Sequence, residues 1–265
     1  MQALTGVGQA LISTLFPPVC PVCRTETGES RTLCPACWSE THFLSGTGCA
    51  SCGRPVAGID ATDTGFRCDD CLRTPRLWDH GQAVMAYSGT GRKLVLALKH
   101  GDRLDMVPML AEWLARAGDD MASRADWIVP VPIHWTRRLR RRANQSAELA
   151  RALCRTTARP DAYAPEILTR IRRTPSQDGR NREERALNVA GAFAVRPHAS
   201  GTVRNAEILL IDDVMTTGAT LNAAAKALRV AGAARINVLV MALVLTGTNP
   251  YLGAEGKTEP EGIEQ

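Results

Sequence analysis

The thirteen residues 208–220 constrain the fold of this chain more than any other stretch. They begin with a short apolar run at residues 208–211, which is typical of a buried parallel strand. Two adjacent carboxylates, Asp212 and Asp213, follow this run, and a hydroxyl-rich loop with one glycine then leads into a helix-like segment. The order of strand, paired acids, loop and helix predicts a ligand site at the end of a strand in an α/β sheet.

The chemistry of this segment suits a sugar phosphate. Backbone N–H groups and hydroxyls of residues 216–220 can face one oxyanion, and the N-terminus of the next helix adds positive potential. The two carboxylates can accept hydrogen bonds from neighbouring hydroxyls. We therefore expect a ligand with a terminal phosphate beside a vicinal diol, such as ribose 5-phosphate. The simpler interpretation, an aspartate that caps a helix, needs only one acid and does not account for the loop.

Eight of the nine cysteines form four Cys-x-x-Cys pairs. The N-terminus lacks the charged start of a secretory signal, so a reducing compartment is expected and a disulfide framework is not. Paired thiolates at this spacing predict zinc. The expected ligands are Cys20 and Cys23, Cys34 and Cys37, Cys49 and Cys52, and Cys68 and Cys71.

The gaps between the pairs leave two pairings open. Ten residues separate Cys23 from Cys34, and fifteen separate Cys52 from Cys68. Both gaps suit two sequential zinc ribbons, and a cross-braced arrangement fits them as well. Four sulfurs per ion form a closed site, so we expect two structural zinc ions. A redox role for one pair is the alternative, but four pairs exceed what that chemistry needs. Cys154 lies in an apolar helical pattern and is predicted to be a core residue.

The order of composition along the chain predicts four parts. They are an N-terminal helix at residues 1–15, a zinc-ribbon domain at 16–74, an α/β domain at 75–246 and a disordered tail at 247–265. No run of 18 apolar residues occurs, so no membrane insertion is expected, and the absence of a charged leader favours a cytoplasmic location.

Alternating strands and helices in the larger part predict a parallel sheet flanked by helices. The predicted strands cover residues 78–87, 127–131, 208–211 and 236–245. The predicted helices cover residues 91–100, 104–117, 143–156 and 220–230.

An arginine-rich stretch follows the second predicted strand. The net charge of the chain is only +5, yet residues 137–185 contain fourteen arginines, no lysine and six acids. Arg140, Arg141 and Arg142 lie between a Pro-Val-Pro strand end and a helix. This pattern favours either an anion site, for pyrophosphate or a nucleic-acid backbone, or a solvated basic face without a ligand.

Residues 208–220 resemble the phosphoribosyl pyrophosphate (PRPP) motif of type I phosphoribosyltransferases. Together with other segments they resemble the ComF family of phosphoribosyltransferase-like proteins. One departure is that Ala143 precedes Asn-Gln, where many members have glycine and an aromatic residue. The further shared segments are the Cys-x-x-Cys module, Pro130-Val131-Pro132, Asn144-Gln145, Thr174-x-x-Gln177 and Arg185-x-x-Asn188-Val189-x-Gly191-x-Phe193.

This resemblance implies a type I phosphoribosyltransferase-like α/β sheet behind a small double zinc ribbon, and PRPP bound with Mg²⁺. It implies that Asp212 and Asp213 bind the ribose hydroxyls and stabilise a cationic transition state. The residues implied to cradle the 5-phosphate are Thr216, Thr217, Gly218, Ala219 and Thr220. The residues expected to contact pyrophosphate or nucleic acid are Lys99, Arg140, Arg141 and Arg142.

Two functions remain open at this point. The first is a pentosyl-transferring enzyme, a phosphoribosyltransferase whose acceptor the sequence does not identify. The second is a non-catalytic, PRPP-regulated accessory protein of DNA uptake in competence, with single-stranded DNA and a helicase or other competence protein as partners. The low aromatic content of 5% argues mildly against extensive base stacking. A third interpretation, limited to the zinc ribbons, is that they dock a protein partner.

Overall fold

A computed structural model describes residues 17–44, 48–56, 65–100, 103–133, 144–172, 174 and 181–245. The predicted N-terminal helix at 1–15, the predicted tail at 247–265 and the arginines at 140–142 lie outside the described residues. Among the helices that the structure describes, none combines the length and apolarity needed to cross a bilayer.

Four parallel strands form the central sheet. Their spatial order is β1 (His80–Ala86), β6 (Arg235–Leu243), β5 (Glu207–Met215) and β2 (Trp127–Pro130), numbered in chain order. All three neighbouring pairs are parallel. The four predicted strands are therefore confirmed, with ends that shift by a few residues.

Strand β5 is longer than the apolar run that predicted it. It pairs with β6 from Glu207, opposite Arg235, to Met215, opposite Leu243. The strand therefore continues through Asp212 and Asp213, because β6 supplies backbone partners along this whole length. The two carboxylates are the sixth and seventh of the nine residues of the strand.

The helices surround this sheet. Residues 104–106 form a separate 3₁₀ turn ahead of the helix that contains Pro108, because proline lacks the N–H of a continuing helix and is favoured in a first turn. The helix predicted from Ala143 begins at Gln145. In chain order the described helices are α1 (Pro35–Ser39), α2 (Asp69–Arg73), α3 (Gly89–His100), α4 (Val107–Ala117), α5 (Asp119–Arg124), α6 (Gln145–Thr156), α7 (Arg182–Val189), α8 (Ser200–Val203) and α9 (Ala219–Val230).

A small antiparallel pair, β3 (Leu168–Arg170) and β4 (Phe193–Val195), escaped the sequence analysis. Strands of three residues provide too few alternating positions for a period of two to be visible. Helix α7 precedes β4 and begins with a reciprocal capping box between Asn181 and Glu184.

Side chains of β5 divide the core between the two faces of the sheet. Ile208 and Leu210 belong to a cluster that also contains the four cysteines of residues 49–71. Leu209 and Ile211 belong to a second cluster, with buried cysteines of residues 20–37. Since successive strand residues point to opposite faces, the two halves of the Cys-rich region pack on opposite sides of the sheet.

Candidate functional site

The eight paired cysteines lie in two groups of four. Within each group, all the sulfurs lie within 4.8 Å of one another. The first cysteine site consists of Cys20, Cys23, Cys34 and Cys37, and the second of Cys49, Cys52, Cys68 and Cys71. Each site joins pairs that are adjacent in the sequence. The arrangement is therefore sequential and not cross-braced.

The spacing of the sulfurs fits zinc. The Sγ atoms of Cys23 and Cys34 are 3.4 Å apart, and those of Cys52 and Cys68 are 3.7 Å apart. Tetrahedral zinc with Zn–S bonds of about 2.3 Å places its sulfurs about 3.8 Å from one another, whereas a disulfide needs about 2.05 Å. Four thiolates complete the coordination of the ion, so both sites suit structural zinc.

Local helix starts present the thiols to these sites. Cys34 caps the N-terminus of α1, and its Sγ accepts a hydrogen bond of 3.5 Å from the backbone N–H of Cys37. Cys68 takes the same position before α2, which contains Cys71 in its first turn. Exposed N–H groups and the helix dipole at these positions favour the thiolate form that zinc binds.

The pKa values of the thiols in the first site indicate why a cation favours their joint ionisation. Burial raises the pKa of the Cys37 thiol to about 12. Hydrogen bonding with the side chain of Thr25 lowers the pKa of Cys23 to about 6. Neighbouring thiols therefore cannot all ionise together, and a zinc ion at their centre supplies the positive charge that stabilises four thiolates.

The ninth cysteine is a core residue, as predicted. Cys154 is only 1% exposed and packs in the second core cluster. Burial raises its pKa to about 11, so the thiol stays protonated and unreactive at neutral pH.

The paired carboxylates meet side chains from two other elements. Oδ1 of Asp212 accepts hydrogen bonds from the Ser146 hydroxyl, at 2.9 Å, and from the backbone N–H of Asp213, at 3.0 Å. The Lys99 ammonium lies 3.4 Å from Oδ2 of Asp213. Lys99 and Asp213 are 16% and 14% exposed at their side chains. The start of α6 and the end of α3 thus converge on the carboxyl end of β5.

The pKa of Asp212 is raised into the neutral range, so part of the population is protonated at pH 7. Burial, and then the negative charge of Asp213, raise the pKa of the Asp212 carboxyl to about 7. The hydrogen bond from Ser146 and the charge of Lys99 act in the opposite direction and do not overcome burial. At neutral pH this carboxyl can therefore donate as well as accept a hydrogen bond, which suits a pair of hydroxyls.

The loop after β5 has the form of an anion cradle. Gly218 is the N-cap of α9. Its φ of +76° is a backbone conformation that residues with a Cβ rarely adopt. The Thr217 hydroxyl accepts a 3.4 Å hydrogen bond from the N–H of Ala219 at the start of α9. The loop therefore gathers hydroxyls and the N-terminus of a twelve-residue helix beside the carboxylates.

The Asn-Gln dipeptide fixes the position of Lys99. The Asn144 side chain donates to the carbonyl of Val131 at the end of β2, at 3.3 Å. The buried Gln145 side chain donates to the carbonyl of Leu98 at 3.4 Å. These two hydrogen bonds therefore tie the end of α3 to the sheet, and they keep its last turn, which contains Lys99, beside Asp213. Lys99 lies in the last turn of α3.

Ser146 and Arg76 are the two site residues that sequence analysis missed. Ser146 directly follows the Asn-Gln signal, so its position could have been inferred from the helix start that faces the strand end. Arg76 donates a 2.6 Å hydrogen bond to the carbonyl of Thr217. No motif surrounds Arg76, and only the fold brings it to the loop. The expected anion contacts Arg140 to Arg142 lie outside the described residues.

A separate cavity of about 320 Å³ lies beside the first cysteine site. Its wall includes an aromatic cluster. The ring centroids of Trp38 and Phe43 are 4.6 Å apart, and the ring of Trp113 packs edge-on against both. Trp38 is 45% exposed, and Arg116 contributes a positive charge to the rim. The cavity does not include any residue of the Asp212 site.

Comparison with known families finds matches in both parts of the chain. Residues 11–72 match the double zinc ribbon domain, and residues 143–252 match the phosphoribosyl transferase domain. The first match contains all eight paired cysteines, and the second contains Asp212 and the loop that follows it.

Curated relatives cover most of the chain. It is 29% identical to "DNA utilization protein YhgH" of Escherichia coli (strain K12) over 226 residues, which are 83% of this chain and 88% of that protein. It is 27% identical to "Competence protein F" of Haemophilus influenzae, over 77% of this chain and 94% of the relative. "Competence protein ComFC" of Bacillus subtilis is 27% identical, over 74% and 77% respectively. The chain therefore has a phosphoribosyltransferase-like α/β domain behind an N-terminal double zinc ribbon, and it is similar over most of its length to proteins named for competence and DNA utilization.

Proposed function

We propose that this protein binds PRPP with Mg²⁺ at the carboxyl end of β5 and transfers its phosphoribosyl group to an acceptor. The observation that carries the proposal is the joint placement of Asp212, Asp213 and the loop 216–220, with Ser146 and Lys99 beside the carboxylates. A strand-end acid pair next to a helix N-terminus matches a diol and a phosphate on one ribose.

Each part of the site has a defined task in this proposal. The carboxyl groups of Asp212 and Asp213 hold the ribose hydroxyls, and residues 216–220 hold the 5-phosphate. The acceptor attacks the anomeric carbon, the bond from that carbon to pyrophosphate breaks, and its electron pair leaves with pyrophosphate. Positive charge that develops on the ring is stabilised by the nearby carboxylates.

The leaving group needs positive charge of its own. When bound, Mg²⁺ would supply charge that neutralises the pyrophosphate oxygens, and the ligand's own oxygens would hold most of it, because Mg²⁺ uses few protein carboxylates. The Lys99 ammonium lies 3.4 Å from Oδ2 of Asp213. We propose that Lys99, with Arg140 to Arg142, interacts with pyrophosphate when PRPP is bound.

The first experiment is a calorimetric titration of PRPP and Mg²⁺ into the zinc-loaded protein and into the Asp212→Asn/Asp213→Asn variant. We expect binding in the parent protein and its loss in the variant. Asp120→Asn is a matched control, because that side chain is 72% exposed and pairs with Arg124 on the surface. No heat with the parent protein would refute the site. If PRPP binds, ³¹P spectroscopy with candidate acceptors then measures release of pyrophosphate.

The second candidate is a non-catalytic accessory protein that binds single-stranded DNA in DNA uptake, with PRPP as a regulatory ligand. Two observations favour it: the names of the relatives, which refer to DNA utilization and competence, and the exposed Trp38 beside Phe43 and Arg116. An exposed aromatic ring with a neighbouring guanidinium is the pattern on which bases stack and phosphates bind. A helicase or another competence protein is the partner class proposed with it.

Strand binding is tested by the fluorescence anisotropy of a labelled oligodeoxythymidylate at several salt concentrations. DNA binding requires an affinity that falls with salt, is lost in an Arg140→Ala/Arg141→Ala/Arg142→Ala variant and weakens in Trp38→Ala. An affinity that does not respond to salt or to these changes would eliminate this candidate, and the zinc ribbons would then be tested for protein partners. The reduced cysteines required for zinc also support a cytoplasmic location in either case.

A further inference from the structure

Residues 76–79, here called the strap, run from the second cysteine site to the phosphate loop. Arg76 donates to the carbonyl of Thr217 at 2.6 Å, and the N–H of Leu77 donates to the side chain of Asn222 at 3.0 Å. Asp79 pairs with Arg229 at 2.6 Å, near the other end of α9. The strap therefore lies along the helix that begins at the loop, and it contacts both the loop and the first turn of that helix.

The same strap is attached to the second cysteine site. The indole N–H of Trp78 donates a 2.6 Å hydrogen bond to the carbonyl of Ser51, which lies between two of the zinc ligands. Trp78 is 3% exposed, and the Arg76 guanidinium lies 5.4 Å from the centroid of its ring. A continuous series of contacts thus joins the zinc ligands to the loop.

The loop is shaped to this strap at Gly218. A Cβ at this position would lie 2.7 Å from Nη1 of Arg76 and 3.0 Å from the Trp78 ring, both shorter than normal contacts. The peptide bond between Thr217 and Gly218 is trans, so its carbonyl and N–H point in opposite directions. When Arg76 fixes the carbonyl of Thr217, it therefore also fixes the direction of the N–H of Gly218, away from Arg76.

The first cysteine site has different contacts. Its buried cysteines pack in the core cluster on the other face of the sheet, and the carbonyl of Pro21 accepts a 3.3 Å hydrogen bond from Arg103. The two sites therefore provide an internal comparison, since only the second shares a core cluster with Trp78 and with Leu221 of α9.

We propose that Arg76 and Trp78 position the phosphate loop, and that its binding geometry depends on zinc at the second cysteine site but not at the first. This inference rests on the proposed function, because it takes the loop as the site of the 5-phosphate. Arg76 and Trp78 are positioning residues. They act through the backbone of Thr217 and Gly218 and need not touch the ligand.

The test uses two probes that separate the loop from the rest of the site. Ribose 5-phosphate reports on the loop, and pyrophosphate with Mg²⁺ reports on the leaving-group region. We expect Arg76→Ala to weaken ribose 5-phosphate binding about tenfold or more in calorimetry and to leave pyrophosphate binding nearly unchanged. Arg76→Lys restores the charge but not the planar donor geometry, and it should recover only part of the affinity. Trp78→Phe keeps an aromatic ring but loses the hydrogen bond to Ser51, and it should weaken the binding of ribose 5-phosphate about threefold.

Two controls address the cysteine sites. Arg103→Ala removes the contact to Pro21 and should leave both affinities unchanged. Cys37→Ser and Cys71→Ser each remove a ligand from one site, and zinc release measured with a chromogenic chelator verifies the loss of one ion from each. Ribose 5-phosphate affinity should fall only in the Cys71 variant. If either cysteine variant does not fold, Arg76→Lys and Trp78→Phe retain both zinc ions and still test the strap.

The outcomes distinguish this inference from the proposed function. If the parent protein does not bind ribose 5-phosphate, the proposed function fails. If it binds and the Arg76 and Trp78 variants bind equally well, the inference alone is overturned. Equal losses for both probes, or an equal loss from removal of zinc at either site, also overturn it, because a general structural defect would then explain the result.

Discussion

Replacement of Asp212 by asparagine should stabilise the protein at neutral pH. Asparagine has nearly the same shape, and its Oδ1 can still accept the hydrogen bonds from Ser146 and from the N–H of Asp213. It cannot ionise, however, and it removes the repulsion between two adjacent carboxylates. The expected gain in the free energy of unfolding therefore depends on pH.

The size of the effect follows from the pKa of Asp212. It is about 7 in the folded protein, against 3.8 for the free side chain. Between these values the folded state binds more protons than the unfolded state, so the stability of the parent protein falls as pH rises, and the loss is complete above about pH 7. At about 1.4 kcal/mol per pH unit, the total loss is on the order of 4 kcal/mol. As the pH rises from about 5.5 to about 8, the free energy of unfolding of the variant should increase by about 2 kcal/mol relative to that of the parent.

The assay is urea unfolding of the zinc-loaded proteins, followed by tryptophan fluorescence at constant ionic strength. Comparing the two proteins at the same pH cancels the pH dependence of zinc binding, which is common to both. Asp120→Asn changes an exposed carboxylate and should show no pH-dependent gain. The difference in unfolding free energy between the Asp212 variant and the parent could instead stay constant from about pH 5.5 to pH 8. Asp212 would then be already ionised in the folded state, and the argument from burial would be wrong.

Three further predictions concern the loop, a helix cap and the metal. Gly218→Ala should lower the free energy of unfolding by about 1–3 kcal/mol, because of the positive φ and the contact with Arg76. Gly201 has open space where a Cβ would lie, so Gly201→Ala should change the free energy of unfolding little. Chemical denaturation measures both. Asn181→Ala removes the cap that accepts from the N–H of Glu184, and it should cost about 1 kcal/mol in the same assay. Mass spectrometric metal analysis should give two zinc ions per chain, and a value of one would contradict the two closed sites.

Much of the α/β part could be predicted because its elements are long and strongly patterned. Strands β5 and β6 are near-continuous apolar runs, and α9 follows a phosphate-type loop and ends beside Gly232. The end of β5 was misjudged because a strand that contains two carboxylates contradicts propensity, and only pairing with β6 overrides it. The pair of β3 and β4 was missed because it depends on a non-local contact between two very short segments.

The candidate site was predictable to the extent that its residues lie in one segment. Asp212, Asp213 and the loop are consecutive, so their proximity follows from the chain itself. Ser146 and Arg76 come from elsewhere, and no spacing rule relates them to β5. The sequential pairing of the cysteines was likewise open, because both arrangements satisfy the same gaps and only the packing on opposite faces of the sheet distinguishes them.

The Cys-rich region also covers one edge of the central sheet. Strand β1 is an edge strand, and an exposed edge of this kind invites pairing with another chain. Here the N–H of Leu44 donates to the carbonyl of Val84, and the N–H of Ala86 donates to the carbonyl of His42. The N–H of Gly81 donates to the carbonyl of Ala50, next to a zinc ligand. Segments beside both cysteine sites therefore cover this edge, so zinc is expected to support the α/β sheet as well as the ribbons themselves.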